Sequence, residues 1–165
     1  MYQLLSSEDC IMSSLQPNSR FCFVCGLENP YGLHIRFHTI AVGEVTAEVT
    51  IPEHFQGYPG MVHGGIIAAM LDEVAGRSLM GEDPPRFMLT ARLDVRYRRK
   101  VPVGQPIRLV GKVVKNREHT AVAIGQILDL DGNLLAEAEV VLVDLPQEVV
   151  QSADLEQLGW RVYEE

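Results

Sequence analysis

The chain has 165 residues, enough for one domain with a substantial hydrophobic core, and it is 47% hydrophobic and 22% charged. Its net charge of −8 argues against a nucleic-acid-binding protein, because such proteins contact phosphates with Lys and Arg. No apolar run approaches the ~20 residues of a transmembrane helix, so we expect no membrane span. No signal peptide is evident and the odd number of cysteines does not suit a disulfide scaffold, so we expect a cytoplasmic protein.

The first third of the chain predicts an arm followed by two strands. Residues 1–20 are polar and irregular, and we expect an N-terminal arm or a short helix there. After the turn NPYGL, apolar and polar residues alternate from Leu33 to Ile40 and again over 44–52. This alternation is typical of half-buried strands, and the sequence AVGE between them predicts a hairpin.

A single helix is predicted from Ile66 to Met80. Its residues are apolar most of the way round, which indicates a helix that is buried on most sides. The sequence GEDPPR ends it, because Pro and Gly break regular structure.

Four strands follow the helix, over about 87–99, 106–116, 120–129 and 134–144, and Asp131-Gly132 marks a hairpin between the last two. The tail 147–165 is expected to be partly helical and to dock on the domain through Leu155, Leu158 and Trp160. An antiparallel sheet with one buried helix must curl around that helix. The predicted class is therefore α+β.

Three stretches resemble the hotdog-fold thioesterases, in particular the phenylacetic-acid-type branch and its mammalian thioesterase-superfamily relatives. They are FCFVCGLENPYGL (21–33), GYPGMVHGGIIAAMLDEVAG (57–76) and LTARLDVRYRRKVPVG (89–104), and the similarity runs from about residue 21 to 144. The resemblance implies a hotdog domain over 21–146, with a curled antiparallel sheet around one long central helix. It also implies an acyl-CoA thioesterase that forms a homodimer or a dimer of dimers. One position departs from many relatives, which carry Asn where this chain has Gly57. The resemblance is therefore closer to the mammalian-type subgroup.

The His-Gly-Gly sequence predicts a site at the start of the helix. The first N–H groups of a helix have no internal partner, so those of Gly64 and Gly65 suit an oxyanion hole for a thioester carbonyl. Asp72 lies eight residues after Gly64, about 12 Å along the axis, and one chain cannot bring both to the same carbonyl. Two antiparallel helices across a two-fold axis would bring Asp72 of one chain to Gly64 of the other.

The resemblance implies roles for the residues around this site. Asp72 matches the carboxylate that acts as nucleophile or as general base on water, and both roles lead to hydrolysis. His63 either contacts the thioester or holds the turn. Thr90 either lies near the attacking water or is only a β-branched strand residue, and Glu73 is expected to be a solvated helix residue.

A basic segment follows in RLDVRYRRKV. Arg96, Arg98, Arg99 and Lys100 are candidates for binding the phosphates of coenzyme A. The alternative is an exposed edge strand that is protected by charge.

The Cys-x-x-Cys sequence has the residue types of a zinc site together with two histidines, in the set Cys22, Cys25, His34 and His38. On a regular strand His34 and His38 would lie about 13 Å apart, too far to share one zinc ion. We therefore expect no metal and no cofactor, and we expect both cysteines to pack in the turn that caps the acyl pocket.

Two functions from different classes fit the sequence. The first is an acyl-CoA thioesterase, and the second is a non-catalytic acyl-CoA-binding protein of the same fold. A retained Asp72 favours the enzyme. The preferred acyl chain depends on pocket depth, which composition does not fix.

Overall fold

A computed structural model describes residues 13–81, 86–146, 148–149 and 157–163. The predicted arm and tail therefore lie largely outside the described residues, as does Leu155. Within the described part the chain forms one α-helix and seven strands: β1 (Ser14–Leu15), β2 (His38–Ala41), β3 (Glu44–Thr50), α1 (Gly64–Arg77), β4 (Met88–Tyr97), β5 (Pro106–Asn116), β6 (Thr120–Leu128) and β7 (Leu134–Asp144). None of the helices in these ranges has the length and apolar character to cross a membrane.

The seven strands form one antiparallel sheet in the order β1-β2-β3-β5-β6-β7-β4. The last four strands match their predicted limits to within two residues, and the β2–β3 hairpin turns through Val42 and Gly43, as the AVGE sequence predicted. Strand β4 lies at one end of this order, so among the described residues only one side of it is paired. The α+β prediction is confirmed.

Helix α1 lies in the middle of the fold and contacts five of the strands, β3 to β7. Its buried residues include Ile67, Met70, Leu71, Val74 and Ala75. The other half of the core comes from alternate residues of the strands, among them the following: Val45, Ala47, Ile107, Leu109, Ala123, Ile127, Val140 and Leu142. The sheet therefore encloses the helix through one continuous apolar core.

Two glycines let the sheet approach this helix closely. Gly111 of β5 and Gly125 of β6 are cross-strand partners. A Cβ atom at Gly111 would lie 2.0 Å from the carbonyl oxygen of Val74, and one at Gly125 would lie 2.6 Å from that of Leu71. Side chains at either position would push the helix away from the sheet.

The helix limits differ from the prediction. The helix begins at Gly64, not at Ile66, and ends at Arg77, not at Met80. It begins earlier because the His63 side chain caps it, accepting a hydrogen bond from the Gly65 N–H. Two glycines at the start of a helix are unfavourable by propensity alone, so the apolar pattern placed the start two residues too late.

The strand predicted over Leu33–Ile40 is wrong in its first five residues, since β2 begins at His38. Leu33, Ile35 and Phe37 are buried as the alternation indicated, but their backbone does not join the sheet. Instead the Ile35 carbonyl accepts a hydrogen bond from the Asn18 side chain, and His34 has a φ of 55°. Alternating burial alone did not distinguish this irregular segment from a strand.

The described part of the C-terminal tail packs on the domain through Trp160. Its ring meets Phe87 edge to face at 5.2 Å, and the Arg77 guanidinium stacks on its face at 4.8 Å. The docking predicted for Trp160 is present, whereas Leu158 is half exposed.

Candidate active site

The start of α1 presents a backbone N–H group with no acceptor. The Nδ1 atom of His63 accepts a hydrogen bond from the Gly65 N–H at 3.0 Å. Among the described residues, the Gly64 N–H has no hydrogen-bond partner. An Nδ1 that accepts leaves the imidazole proton on Nε2 in neutral His63. The helix start therefore offers two donors, the Gly64 N–H and the His63 Nε2–H, since the Gly65 N–H is already engaged.

Tyr97, at the end of β4, is a residue of this site that the sequence analysis missed. Its hydroxyl donates a hydrogen bond to the Gly64 carbonyl oxygen at 2.9 Å. Its ring lies 3.5–3.7 Å from where a Cβ of Gly64 would stand. The contact joins residues 33 positions apart, and no local pattern in the sequence indicates it.

A pocket of about 730 Å³ opens at the helix start. Its walls include His63, Gly64, Tyr97 and Ile67, together with Arg98, Arg99 and Lys100 of the basic segment. The structure thus brings the His-Gly-Gly sequence and most of the predicted phosphate-binding residues to one cavity.

The four basic residues are not equivalent in the structure. Arg98 forms an ion pair with Glu137 at 2.7 Å. Arg99 and Lys100 line the pocket at the helix start and also a neighbouring cavity of about 520 Å³. Arg96 lies in a separate pocket beside acidic residues, so it does not join the others. Arg99 and Lys100 are consequently the best placed to bind an anion.

Asp72 and Thr90 form a second cluster. The Thr90 hydroxyl donates a hydrogen bond to the Asp72 carboxylate at 2.6 Å. Burial raises the pKa of Asp72 above its usual value and the negative charge of Glu73 raises it further, while the Thr90 hydrogen bond opposes the shift. Thr90 is exposed, so the half-buried carboxylate lies at the surface of the chain, where a reactant can reach it.

The two clusters are separated within one chain. Asp72 lies eight residues after Gly64, about 12 Å along the helix axis, and it does not line the pocket at the helix start. Thr90 belongs to β4, whose outer edge pairs with no other strand in the described ranges. The donors and the carboxylate are therefore two halves of a site and not one continuous site.

Glu73 points elsewhere, although it follows Asp72 directly. Its carboxylate forms an ion pair with the buried Arg77 at 2.9 Å and accepts a weak hydrogen bond from the Cys22 thiol at 3.7 Å. It is therefore not the solvated residue that the sequence suggested. Burial raises the pKa of Glu73, and the charge of Arg77 opposes that shift.

Cys22, Cys25, His34 and His38, the set that the sequence analysis rejected as a zinc site, do not come together in the structure. Cys22 and Cys25 lie in the turn packed on α1, as expected for the N-terminal turn. The His34 ring instead contacts the Asn29 carbonyl, and His38 belongs to β2.

Comparison with known proteins supports a common family. Residues 59–136 match the model of the thioesterase superfamily. Fifty residues are 40% identical to the acyl-coenzyme A thioesterase THEM4 of Rattus norvegicus, which is 30% of this chain and 20% of that protein. The matched part of this chain thus spans about a fifth of the length of this curated relative.

Solved structures agree in fold. The crystal structure of a thioesterase superfamily protein is 32% identical, with a TM-score of 0.69 over 76% of this chain and 61% of that one. A hypothetical thioesterase from Streptococcus pneumoniae TIGR4, solved with coenzyme A, is 17% identical, with a TM-score of 0.61 over 72% of this chain and 90% of that one. The sheet curled around a single helix is the arrangement that the sequence resemblance implied. Residues 59–136 are therefore similar to the thioesterase superfamily, and the chain has the hotdog fold of these solved structures.

Proposed function

We propose that this chain is an acyl-CoA thioesterase, which hydrolyses an acyl-CoA thioester to a free acid and coenzyme A. The observation that carries the proposal is the Asp72–Thr90 pair, an accessible carboxylate held by a hydroxyl at 2.6 Å. A half-buried carboxylate costs stability, and a pKa raised by that burial makes the group a stronger base. This supports the enzyme over the non-catalytic acyl-CoA-binding protein, which has no use for such a group.

The thioester carbonyl binds at the start of α1. The Gly64 N–H and the His63 Nε2–H are its hydrogen-bond donors, and the positive end of the helix dipole favours the charge that develops on the oxygen. The Gly65 N–H acts indirectly, because its hydrogen bond to Nδ1 orients the His63 ring. Tyr97 fixes the first turn of the helix through the Gly64 carbonyl.

Each complete site draws on two chains. The separation of about 12 Å between Gly64 and Asp72 disappears if two α1 helices lie antiparallel across a two-fold axis. The unpaired edge of β4 supports this assembly, since it carries Thr90 and exposes Leu89. Asp72 of one chain then meets Gly64 of its partner, in a dimer or in a dimer of dimers.

Asp72 supplies the chemistry in one of two ways. As a general base it takes a proton from water, which attacks the carbonyl carbon and expels the thiolate of coenzyme A. As a nucleophile its carboxylate oxygen attacks the carbonyl carbon, the C–S bond breaks and the coenzyme A thiolate leaves, which gives an acyl anhydride with Asp72. Water then hydrolyses that anhydride to the free acid and restores the carboxylate. In both routes Thr90 positions the Asp72 carboxylate through the hydrogen bond that its hydroxyl donates. The net reaction is the same.

The nucleotide end of the substrate lies along Arg99 and Lys100. Both residues line the pocket that contains the carbonyl donors, and the S. pneumoniae neighbour with bound coenzyme A has the same fold. Charged hydrogen bonds to phosphate are worth about 1.5–3 kcal/mol each.

A matched control for this assignment is available on the outer face of the sheet. Arg108 and Lys112 of β5 are exposed and form ion pairs with Glu48 and Glu44. The double substitution R108Q/K112Q removes as much charge as R99Q/K100Q without changing the pocket, so the two variants separate a specific phosphate contact from the effect of net charge.

The test of the proposed function is the substitution Asp72→Asn, assayed against aryl-, short- and long-chain acyl-CoAs. The amide keeps the shape of the side chain but is neither a base nor a nucleophile. We expect hydrolysis to be lost while acyl-CoA binding and the thermal unfolding midpoint remain close to wild type. Retention of most of the turnover would refute the role of Asp72. A wild-type protein that binds acyl-CoAs but hydrolyses none would favour the non-catalytic alternative.

A further inference from the structure

A tight turn presses two cysteines against α1, on a different side of the helix from Thr90. The Gly26 N–H donates to the Cys22 carbonyl at 2.8 Å, and a Cβ at Gly26 would lie 2.4 Å from that oxygen. Only glycine fits there. The turn brings the sulfur atoms of Cys22 and Cys25 to a carboxylate oxygen of Glu73, and these three atoms all lie within 4.8 Å of one another.

The backbone of the turn is arranged to stabilise a thiolate. The N–H groups of Val24 and Cys25 point at the Cys22 sulfur at 3.4 and 3.5 Å. The Ser19 hydroxyl lies 3.6 Å from the Cys25 sulfur. Hydrogen bonds to a charged sulfur favour its deprotonated form, which is the form that binds metal.

The distance from the Cys22 sulfur to the Glu73 carboxylate is compatible with a tetrahedral zinc ion. With Zn–S bonds of about 2.3 Å and a Zn–O bond of about 2.1 Å, a sulfur and an oxygen ligand should lie about 3.6 Å apart. The Cys22 sulfur lies 3.7 Å from Glu73 Oε2. The other carboxylate oxygen, Oε1, accepts from the Arg77 Nε at 2.9 Å, so Arg77 orients the carboxylate and leaves Oε2 available.

The charges also balance around a divalent cation. Two thiolates and the Glu73 carboxylate carry three negative charges, and the buried Arg77 carries one positive charge. Without a metal, two thiolates beside a buried carboxylate would repel each other, whereas one dication neutralises the group.

We propose that Cys22, Cys25 and Glu73 bind one Zn²⁺ ion, with the fourth position open to solvent beside the half-buried Cys22. His34 and His38 are not ligands of this site, and the third ligand comes from the helix, 48 residues after Cys25 in the chain. The ion fastens the N-terminal turn to α1. Asp72 and Glu73 point about 100° apart around the helix, so the metal stabilises the fold and takes no part in the reaction at Asp72.

The test measures metal content and its dependence on the ligands. The full chain is expressed in zinc-supplemented medium, purified under reducing conditions and analysed by elemental mass spectrometry, and we expect about one zinc ion per chain. C22S and E73Q should retain less than about a tenth of that amount. C10S is the matched control, because it removes the third cysteine, which is not a ligand in the proposed site, and should keep the full stoichiometry.

Cobalt gives an independent readout that needs no variant to fold. Replacing zinc by Co²⁺ in the wild-type chain should produce the sulfur-to-cobalt charge-transfer absorption of a two-thiolate site, and C22S should weaken it. Removal of zinc by a chelator should lower the unfolding midpoint of wild type and C10S, but not that of C22S. Three results would overturn the proposal. The first is a wild-type protein that binds no metal, and the second is a zinc content unchanged in C22S. The third is a Cys22–Cys25 disulfide, found by mass spectrometry of the preparation purified under reducing conditions.

Discussion

A mixing experiment separates a site shared by two chains from a site within one chain. It needs one variant that lacks the carbonyl donor and one that lacks the carboxylate. Gly64→Pro removes the N–H at the first helical residue, where proline is well tolerated. His63 has a ψ of 138°, which is the backbone conformation that a residue before proline prefers. The helix should therefore persist while one donor is lost.

The magnitudes follow from the proposed geometry. Loss of one oxyanion donor lowers kcat about 10²- to 10³-fold, so G64P should be nearly inactive, as should D72N. When the two variants are mixed in equal amounts and exchange subunits, half of the dimers are mixed. Each mixed dimer has one site with an intact Gly64 from one chain and an intact Asp72 from the other. The mixture should recover about 25% of wild-type activity.

The double variant G64P/D72N provides the control. Mixed dimers of this variant with wild type contain no intact site if the site is shared. An equal amount of the double variant should therefore reduce the activity of a fixed amount of wild type to about half. Native mass spectrometry of differently tagged chains verifies the exchange. If exchange occurs but the single variants recover nothing and the double variant inhibits nothing, the site lies within one chain and our argument from the helix spacing fails.

Three further outcomes test the remaining parts of the site and the fold. Thr90→Val should lower kcat about tenfold with little change in KM, because it removes a hydrogen bond to a charged group, whereas Thr90→Ser should retain most activity. If the Val variant had the same kcat as wild type, Thr90 would have only a strand role. R99Q/K100Q removes two charged contacts, so it should raise KM for acyl-CoA about 10²- to 10⁴-fold but not KM for an acyl-pantetheine. An unchanged KM for acyl-CoA would place the nucleotide elsewhere. Gly111→Ala should lower the free energy of unfolding in urea by about 1–3 kcal/mol or more, because the added Cβ would collide with α1. Gly76→Ala, in open space on α1, should raise it by about 0.5–1 kcal/mol. Equal shifts in the two variants would contradict the close approach of helix and sheet.

The sequence predicted the parts of the fold that depend on local pattern. Alternation of apolar and polar residues located β3, because one face of that strand lies on the core. The four strands after the helix were predicted to within two residues of their limits. Residues 66–80 are apolar on most sides when arranged as a helix, and this pattern identified the central helix. Its start was misplaced because the cap is a contact of the His63 side chain, which hydrophobic periodicity does not record.

Long-range contacts account for what the sequence could not predict. Tyr97 reaches Gly64 only because β4 runs past the start of α1, and Glu73 reaches Cys22 across 51 residues of chain. Segment 33–37 has the burial pattern of a strand, but its carbonyl at Ile35 pairs with the Asn18 side chain instead. Each of these features depends on the relative placement of two distant segments, which no single stretch of sequence contains.

The acidic residue on the helix connects assembly with chemistry. Asp72 is half buried, which raises its pKa and costs stability, and within its own chain Thr90 is the hydrogen-bond partner that offsets this cost. The strand that carries Thr90 also exposes Leu89 and leaves its outer edge unpaired. An isolated chain gains nothing from an unpaired edge, an exposed Leu and a partly desolvated carboxylate at one surface. Pairing of this surface with a second copy would use all three together, because the same contact that covers the edge brings each carboxylate to the other chain's carbonyl donors.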